Sequence, residues 1–102
     1  MTAPLRLPVD ELHRVSEVWR GWRNHPDAPP ADYIDHWTVW RSNGGMVQAQ
    51  FTSEIGWAEW ARYLGLHIDR SSATEWCARG YVDRVRFVFY VAHNHSDLAG
   101  AA

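Results

Sequence analysis

The alternation of apolar and polar residues along the chain predicts two helices, a β-hairpin and a long final strand. Residues 8–23 begin with a proline, which suits the first turn of a helix. Their apolar side chains recur at helical spacing and form one stripe: Leu12, Val15, Trp19 and Trp22. Residues 54–65 show a second stripe of this kind, with Ser53 or Thr52 as a cap and Gly65 as the end.

The segment 35–52 contains two alternating stretches on either side of Asn43-Gly44. Asn-Gly favours a two-residue type I′ turn, because both residues tolerate positive φ. This turn places Arg41 opposite Met46 and assigns the other side chains to two faces. One predicted face carries Trp40, Val47, Ala49 and Phe51, and the other carries Trp37, Val39, Arg41, Met46, Gln48 and Gln50. A helix over 31–41 is the competing interpretation, but the β-branched and aromatic content favours the strand.

The C-terminal third is predicted to hold one long strand over residues 81–92. One side of it carries Val85, Phe87, Phe89 and Val91, and the other carries Arg84, Arg86, Val88 and Tyr90. Before it, we expect a short strand over 66–70 and a helical turn that carries Trp76. Because this strand is longer than the strands expected beside it, we expect part of it to form an exposed edge that pairs with another chain.

These elements together predict an α+β fold in a single domain over residues 1–102. Its small antiparallel sheet comprises the hairpin 35–52 and the C-terminal strand 81–92, packed with helices 8–23 and 54–65. The two ends, residues 1–7 and 94–102, are expected to be flexible.

Composition narrows the choice of compartment and partner. The 102 residues are 46% hydrophobic and carry a net charge of −2, which argues against a broad phosphate-binding surface. Cys77 is the only cysteine, so no intramolecular disulfide can form. No apolar run approaches the roughly 20 residues of a membrane helix, and Met1 to Pro8 lacks the apolar core of a signal peptide. We therefore expect a cytoplasmic protein without a membrane partner.

Motifs for catalysis or cofactor binding are not apparent. His93 and His95 would project from the same side of a strand and are weak candidates for metal ligands, since structural zinc requires four. A solvated, mobile tail is the interpretation that the sequence favours. Cys77 lies near Arg79, but a lone cysteine is more often a small buried apolar residue than a nucleophile. No phosphate-binding glycine loop or hydrolase motif occurs, so we expect no cofactor.

The seven tryptophans are the unusual feature of the composition. A core of this size cannot easily bury all seven, so we expect some of them at a binding surface. The candidate interaction surface is the second face of the sheet: Trp37, Val39, Arg41, Met46, Arg84, Arg86 and Tyr90. The alternative is that the first helix covers this face with Trp19 and Trp22.

Aromatic residues, methionine and arginine are enriched at protein interfaces. We therefore expect a non-enzymatic protein that binds another protein, a second copy of itself included. A nucleic-acid-binding regulator is the second hypothesis, because arginines and stacked aromatics also bind single strands. A small enzyme with a histidine and carboxylate site is the third.

Overall fold

The computed structural model describes residues 8–41 and 44–92, and in it two helices pack on one side of a mixed sheet. In chain order the elements are α1 Pro8–Arg23, a 3-10 turn Ala31–Tyr33, β1 Ile34–Trp40, β2 Met46–Phe51, α2 Glu54–Leu64, β3 His67–Asp69, β4 Glu75–Val82 and β5 Val85–Ala92. The expected flexible ends, 1–7 and 94–102, lie outside the described residues. No helix within the described part of the chain is long and apolar enough to cross a lipid bilayer.

The sheet has five strands in the order β1-β2-β5-β4-β3. Adjacent strands are antiparallel except for β2 and β5, which run parallel through the centre. The predicted α+β class is confirmed, since a small sheet packs against two helices. The pattern did not predict the parallel pairing, for which the chain passes through α2, β3 and β4 before β5 pairs with β2.

Both predicted helices are present where the apolar stripes placed them. The hydroxyl of Ser53 accepts a hydrogen bond from the Gly56 N–H and caps α2. Gly65 ends the same helix in the left-handed region, at φ 72°. Each helix directs its stripe onto the same side of the sheet: Val15 and Trp19 from α1, and Trp57, Trp60, Ala61 and Leu64 from α2.

The core is built largely from aromatic rings. Trp19 lies 5.8 Å from both Phe87 and Phe89, measured between ring centroids. The indole N–H of Trp57 donates to the buried Phe89 carbonyl over 2.9 Å, and that of Trp60 donates to the Pro30 carbonyl over 3.1 Å. The indole nitrogen of Trp19 is equally buried but has no hydrogen-bond partner among the described residues.

The hairpin pairs in a register one residue away from the predicted one. Trp40, rather than Arg41, lies opposite Met46, and Val39 lies opposite Val47. A shift of one residue moves every side chain of a strand to the other face. The predicted faces of β1 are therefore wrong: Trp37 and Val39 face the helices, while Trp40 faces away from them.

Contacts with α1 explain why the connection between β1 and β2 is longer than the predicted two-residue turn. Gly44 and Gly45 both have positive φ, 83° and 107°. A Cβ at Gly45 would overlap with Val15 of α1, so the helix can approach the connection only at a glycine. The Gly45 carbonyl also accepts from the Arg86 N–H over 3.0 Å. These long-range contacts determine the register, and a two-residue turn cannot supply them.

The predicted single strand over 81–92 is also wrong, because the chain reverses within it. Asp83 and Arg84 form a two-residue turn between β4 and β5, and Val82 pairs with Val85. Trp76 consequently lies in β4 rather than in a helical turn, with its ring 5.8 Å from that of Trp57. The final strand lies at the centre of the sheet, and the exposed edge expected there belongs to β1 instead.

Candidate functional site

The sheet face opposite α1 and α2 is covered by no helix of the described residues, and we call it the open face. Strand register places its side chains in two central rows: Trp40, Met46, Arg86 and Tyr81, then Thr38, Gln48, Val88, Arg79 and His67. Val88 at its centre is only 5% exposed, although it does not belong to the core cluster. Val88 is therefore shielded from water although it lies on the side of the sheet that faces away from α1 and α2.

One end of the sheet carries three arginines, and we call it the arginine end: Arg41, Arg84 and Arg86. Arg86 lies between Met46 and Tyr81 in the register, and Arg41 directly follows Trp40. Within the described ranges none of these arginines forms an ion pair. Their charges are therefore available to a ligand.

Exposed aromatic side chains accompany the arginine end. Trp40 is 45% exposed and Tyr81 is 70% exposed. Large apolar side chains are normally shielded from water, and tryptophan and tyrosine are enriched among the residues that dominate binding energy. Arginine and aromatic side chains thus share one row of the open face.

The turn that carries Arg84 is anchored to α1. Asp83 and Arg84 adopt φ of 53° and 64°, a region that costs a branched or long side chain energy and that glycine would occupy freely. The Asp83 carboxylate accepts the indole N–H of Trp22 over 3.0 Å. This hydrogen bond holds the turn, so Arg84 occupies a defined position at the arginine end.

The opposite end of the open face is acidic. Asp69 at the end of β3 forms an ion pair with Arg79 over 3.5 Å, and Glu75 begins β4 on the same side. Hydrogen bonds from Ser71 lower the pKa of Asp69, with Arg79 as a weaker cause. Asp69 is therefore ionised at neutral pH, and the charge along the open face changes sign from one end to the other.

Tyr90 and Cys77 lie directly opposite each other in the same row as Asp69, at the acidic end. Burial raises the pKa of both groups, and Arg79 offsets part of that rise. The Cys77 thiol is therefore protonated at neutral pH, and a protonated thiol is a poor nucleophile. This location suits a packing role for Cys77.

Of the predicted surface residues, Trp37 and Val39 lie on the helix-covered side, and Arg41 and Arg84 lie at the ends of strands. Trp37 is 42% exposed, and its ring contacts Trp19 edge-on at 5.8 Å. The Arg23 guanidinium lies 4.4 Å from the Trp37 ring centroid. Burial, followed by repulsion from Arg20, lowers the pKa of Arg23. Trp37 therefore closes the edge of the core, while Met46, Arg86 and Tyr90 lie together on the open face.

The metal candidates His93 and His95 lie outside the described residues. Among the residues that are described, no three histidine, cysteine or carboxylate side chains are close enough to hold one metal ion. A shallow groove of about 250 Å³ also lies along α1, beside Trp22 and Asp83. The Asp83 carboxylate in this groove already accepts a hydrogen bond from the Trp22 N–H, so the groove offers a ligand fewer free polar groups than the open face does.

Sequence reasoning missed Trp40, Arg79 and Tyr81 as members of this surface. The predicted register places Trp40 in the core, and the predicted continuous strand over 81–92 omits the turn that follows Tyr81 and Val82. The polar pair Asp83-Arg84 between two β-forming stretches was the signal for the missed turn. No protein-family model, curated protein or solved structure matches the chain.

Proposed function

We propose that this chain is a non-enzymatic protein that binds another protein through the open face of its sheet. The observation that carries the proposal is the row in which Arg86 lies between Met46 and Tyr81, with Trp40 beyond Met46. Aromatic residues, methionine and arginine supply much of the energy at protein interfaces. The reducing cytoplasm is the proposed compartment, since Cys77 is the only cysteine.

The charge pattern indicates the chemistry of the partner. A complementary surface presents carboxylates to the arginine end and apolar side chains to Trp40 and Tyr81. Arginine can pair with a carboxylate through two parallel hydrogen bonds, which adds specificity to the attraction. The acidic end, with Asp69 and Glu75, disfavours a uniformly acidic ligand and favours one whose charges also change sign.

Nucleic acid is the second candidate, supported by arginines beside Trp40 and Tyr81 that form no ion pair with any described residue. A phosphate backbone is negative along its whole length, so the acidic end would repel it. The net charge of −2 further weakens long-range attraction to a polyanion. A mixed-charge protein surface therefore fits the open face better.

A random peptide library displayed on phage tests the proposal with a defined probe. We expect the wild-type protein to select peptides with acidic and aromatic residues. Arg86→Glu should weaken binding of a selected peptide at least tenfold, since it reverses the central charge of the row. Arg62→Glu makes the same change on α2, away from the open face, and should alter the affinity less than twofold.

The outcomes separate the two classes of partner. Selected peptides that bind Arg86→Glu as tightly as wild type would contradict the open face as the binding site. If no peptide is selected and an oligothymidine binds instead, with affinity that falls steeply as salt rises, the nucleic-acid hypothesis replaces the proposal. Circular dichroism of each variant verifies that the fold is retained.

A further inference from the structure

The outer edge of β1 is an exposed edge of the sheet, and it is regular over residues 36–40. No described residue pairs with it, and β1 lies at the end of the strand order. Proteins commonly protect such edges with lysine, proline or very short strands. β1 has seven residues, contains neither lysine nor proline, and exposes most of its side chains.

We propose that a second copy of this chain pairs antiparallel with this edge, around a two-fold axis at Thr38. The observation that selects a second copy is the charge distribution along the strand. Asp35 lies near the start of β1 and Arg41 directly follows its end. An antiparallel copy reverses this order, so each acidic end meets a basic end.

The geometry of antiparallel pairing restricts the position of the axis. In an antiparallel pair, two opposite residues either both direct their backbone N–H and C=O groups toward the other strand or both direct them away from it. A two-fold axis must therefore place one residue opposite its own copy, and it cannot lie midway between two successive residues. An axis at Thr38 places Asp35 opposite Arg41 of the second copy. An axis at Trp37 places Asp35 opposite Val39 instead, and neither charge is then matched.

The irregularity in β1 is compatible with this arrangement. The register with β2 shifts at Asp35, which leaves residues 36–40 as a regular strand centred on Thr38. His36 then lies opposite Trp40 of the second copy, and Trp37 lies opposite Val39. Asp35 contacts His36 at 3.0 Å, yet its side chain remains 59% exposed and accessible to an arginine of the second copy.

Self-association would extend the sheet without covering the open face. Residues directly opposite each other in a sheet share a face, so the open faces of both copies form one continuous surface. The contact lies at the edge of β1, and the inference does not rest on the proposed function. Each copy retains Arg84 and Arg86 for a partner.

Charge substitutions at the axis provide a specific test by sedimentation velocity. We expect wild type to reach about twice the chain mass of 11.8 kDa as concentration rises. Thr38→Lys and Thr38→Glu should each be monomeric, because the new charge meets its own copy. Their equimolar mixture should dimerise again, because lysine then meets glutamate. Thr38 is exposed, so both variants should retain the fold.

A charge exchange tests the register. Asp35→Arg and Arg41→Asp should each weaken dimerisation at least tenfold, and the double variant should restore it. A wild-type monomer at all concentrations would overturn the proposal, as would a Thr38→Lys dimer as tight as wild type. Arg86→Glu should leave the mass unchanged, so failure of self-association and failure of the open-face proposal can be distinguished.

Discussion

Replacing Trp57 by phenylalanine should destabilise the protein more than the same replacement at Trp19. Both indoles are buried, at 0% and 1% exposure, and each has one arginine near its ring, Arg70 at 5.4 Å and Arg23 at 5.2 Å. The loss of ring volume is therefore closely matched. The indole N–H of Trp57 has a partner, the Phe89 carbonyl, and that of Trp19 has none among the described residues.

This difference sets the expected size of the effect. Loss of the Trp57 hydrogen bond costs about 1 kcal/mol, whereas removal of an unpaired buried N–H at Trp19 relieves a penalty of about 1–3 kcal/mol. Trp57→Phe should therefore lower the free energy of unfolding by about 2–4 kcal/mol more than Trp19→Phe does.

Urea unfolding followed by far-ultraviolet circular dichroism, at one fixed protein concentration, measures this difference. Trp19→Tyr serves as a further control, because its hydroxyl again buries a polar group at a site without a described partner. Equal losses for Trp57→Phe and Trp19→Phe, or a larger loss for Trp19→Phe, would refute the reasoning.

The glycine connection and the acidic end give two further predictions. Gly44→Ala should lower the free energy of unfolding by about 1 kcal/mol, because alanine is strained at positive φ. Gly45→Ala should lower it by about 1–3 kcal/mol more, because its Cβ also overlaps with Val15. Equal midpoints of urea unfolding for the two variants would contradict this. Because the folded pKa of Asp69 is lowered, its contribution to stability is present at neutral pH and is lost as pH falls below its ordinary range. Asp69→Asn should therefore flatten the decline of thermal stability between about pH 5 and 2, and an unchanged profile would contradict the role of Ser71.

Local pattern was sufficient to predict the helices, because their signals are local. The stripe that contains Val15 and Trp19 and the cap at Ser53 depend only on residues a few positions apart. The alternation that directs Phe87 and Phe89 inward was likewise correct. These features determine which faces are buried, and they support the α+β class.

Register and strand boundaries depend on contacts between distant parts of the chain. Asn43-Gly44 favours a short turn, but the approach of Val15 to Gly45 requires a longer connection. The reversal at Asp83 lacks glycine and is held by Trp22, which lies 61 residues earlier in the chain. Neither contact can be read from local alternation.

The difference in register also changes which residues form the candidate site. The one-residue shift moved Trp37 to the helix side and brought Trp40 to the open face. Arg41, Arg84 and Arg86 still lie at one end of the sheet, since Arg41 directly follows β1, Arg84 directly precedes β5 and Arg86 is the second residue of β5. The placement of the aromatic side chains, in contrast, depends on register.

The most direct test of the central claim is a chemical-shift map of the isotope-labelled protein with a selected peptide. The account predicts the largest changes at Met46, Arg86 and Tyr81 and at the indole of Trp40, with small changes along α2. Changes centred on α2, or on the groove beside Trp22, would contradict the open face as the binding surface.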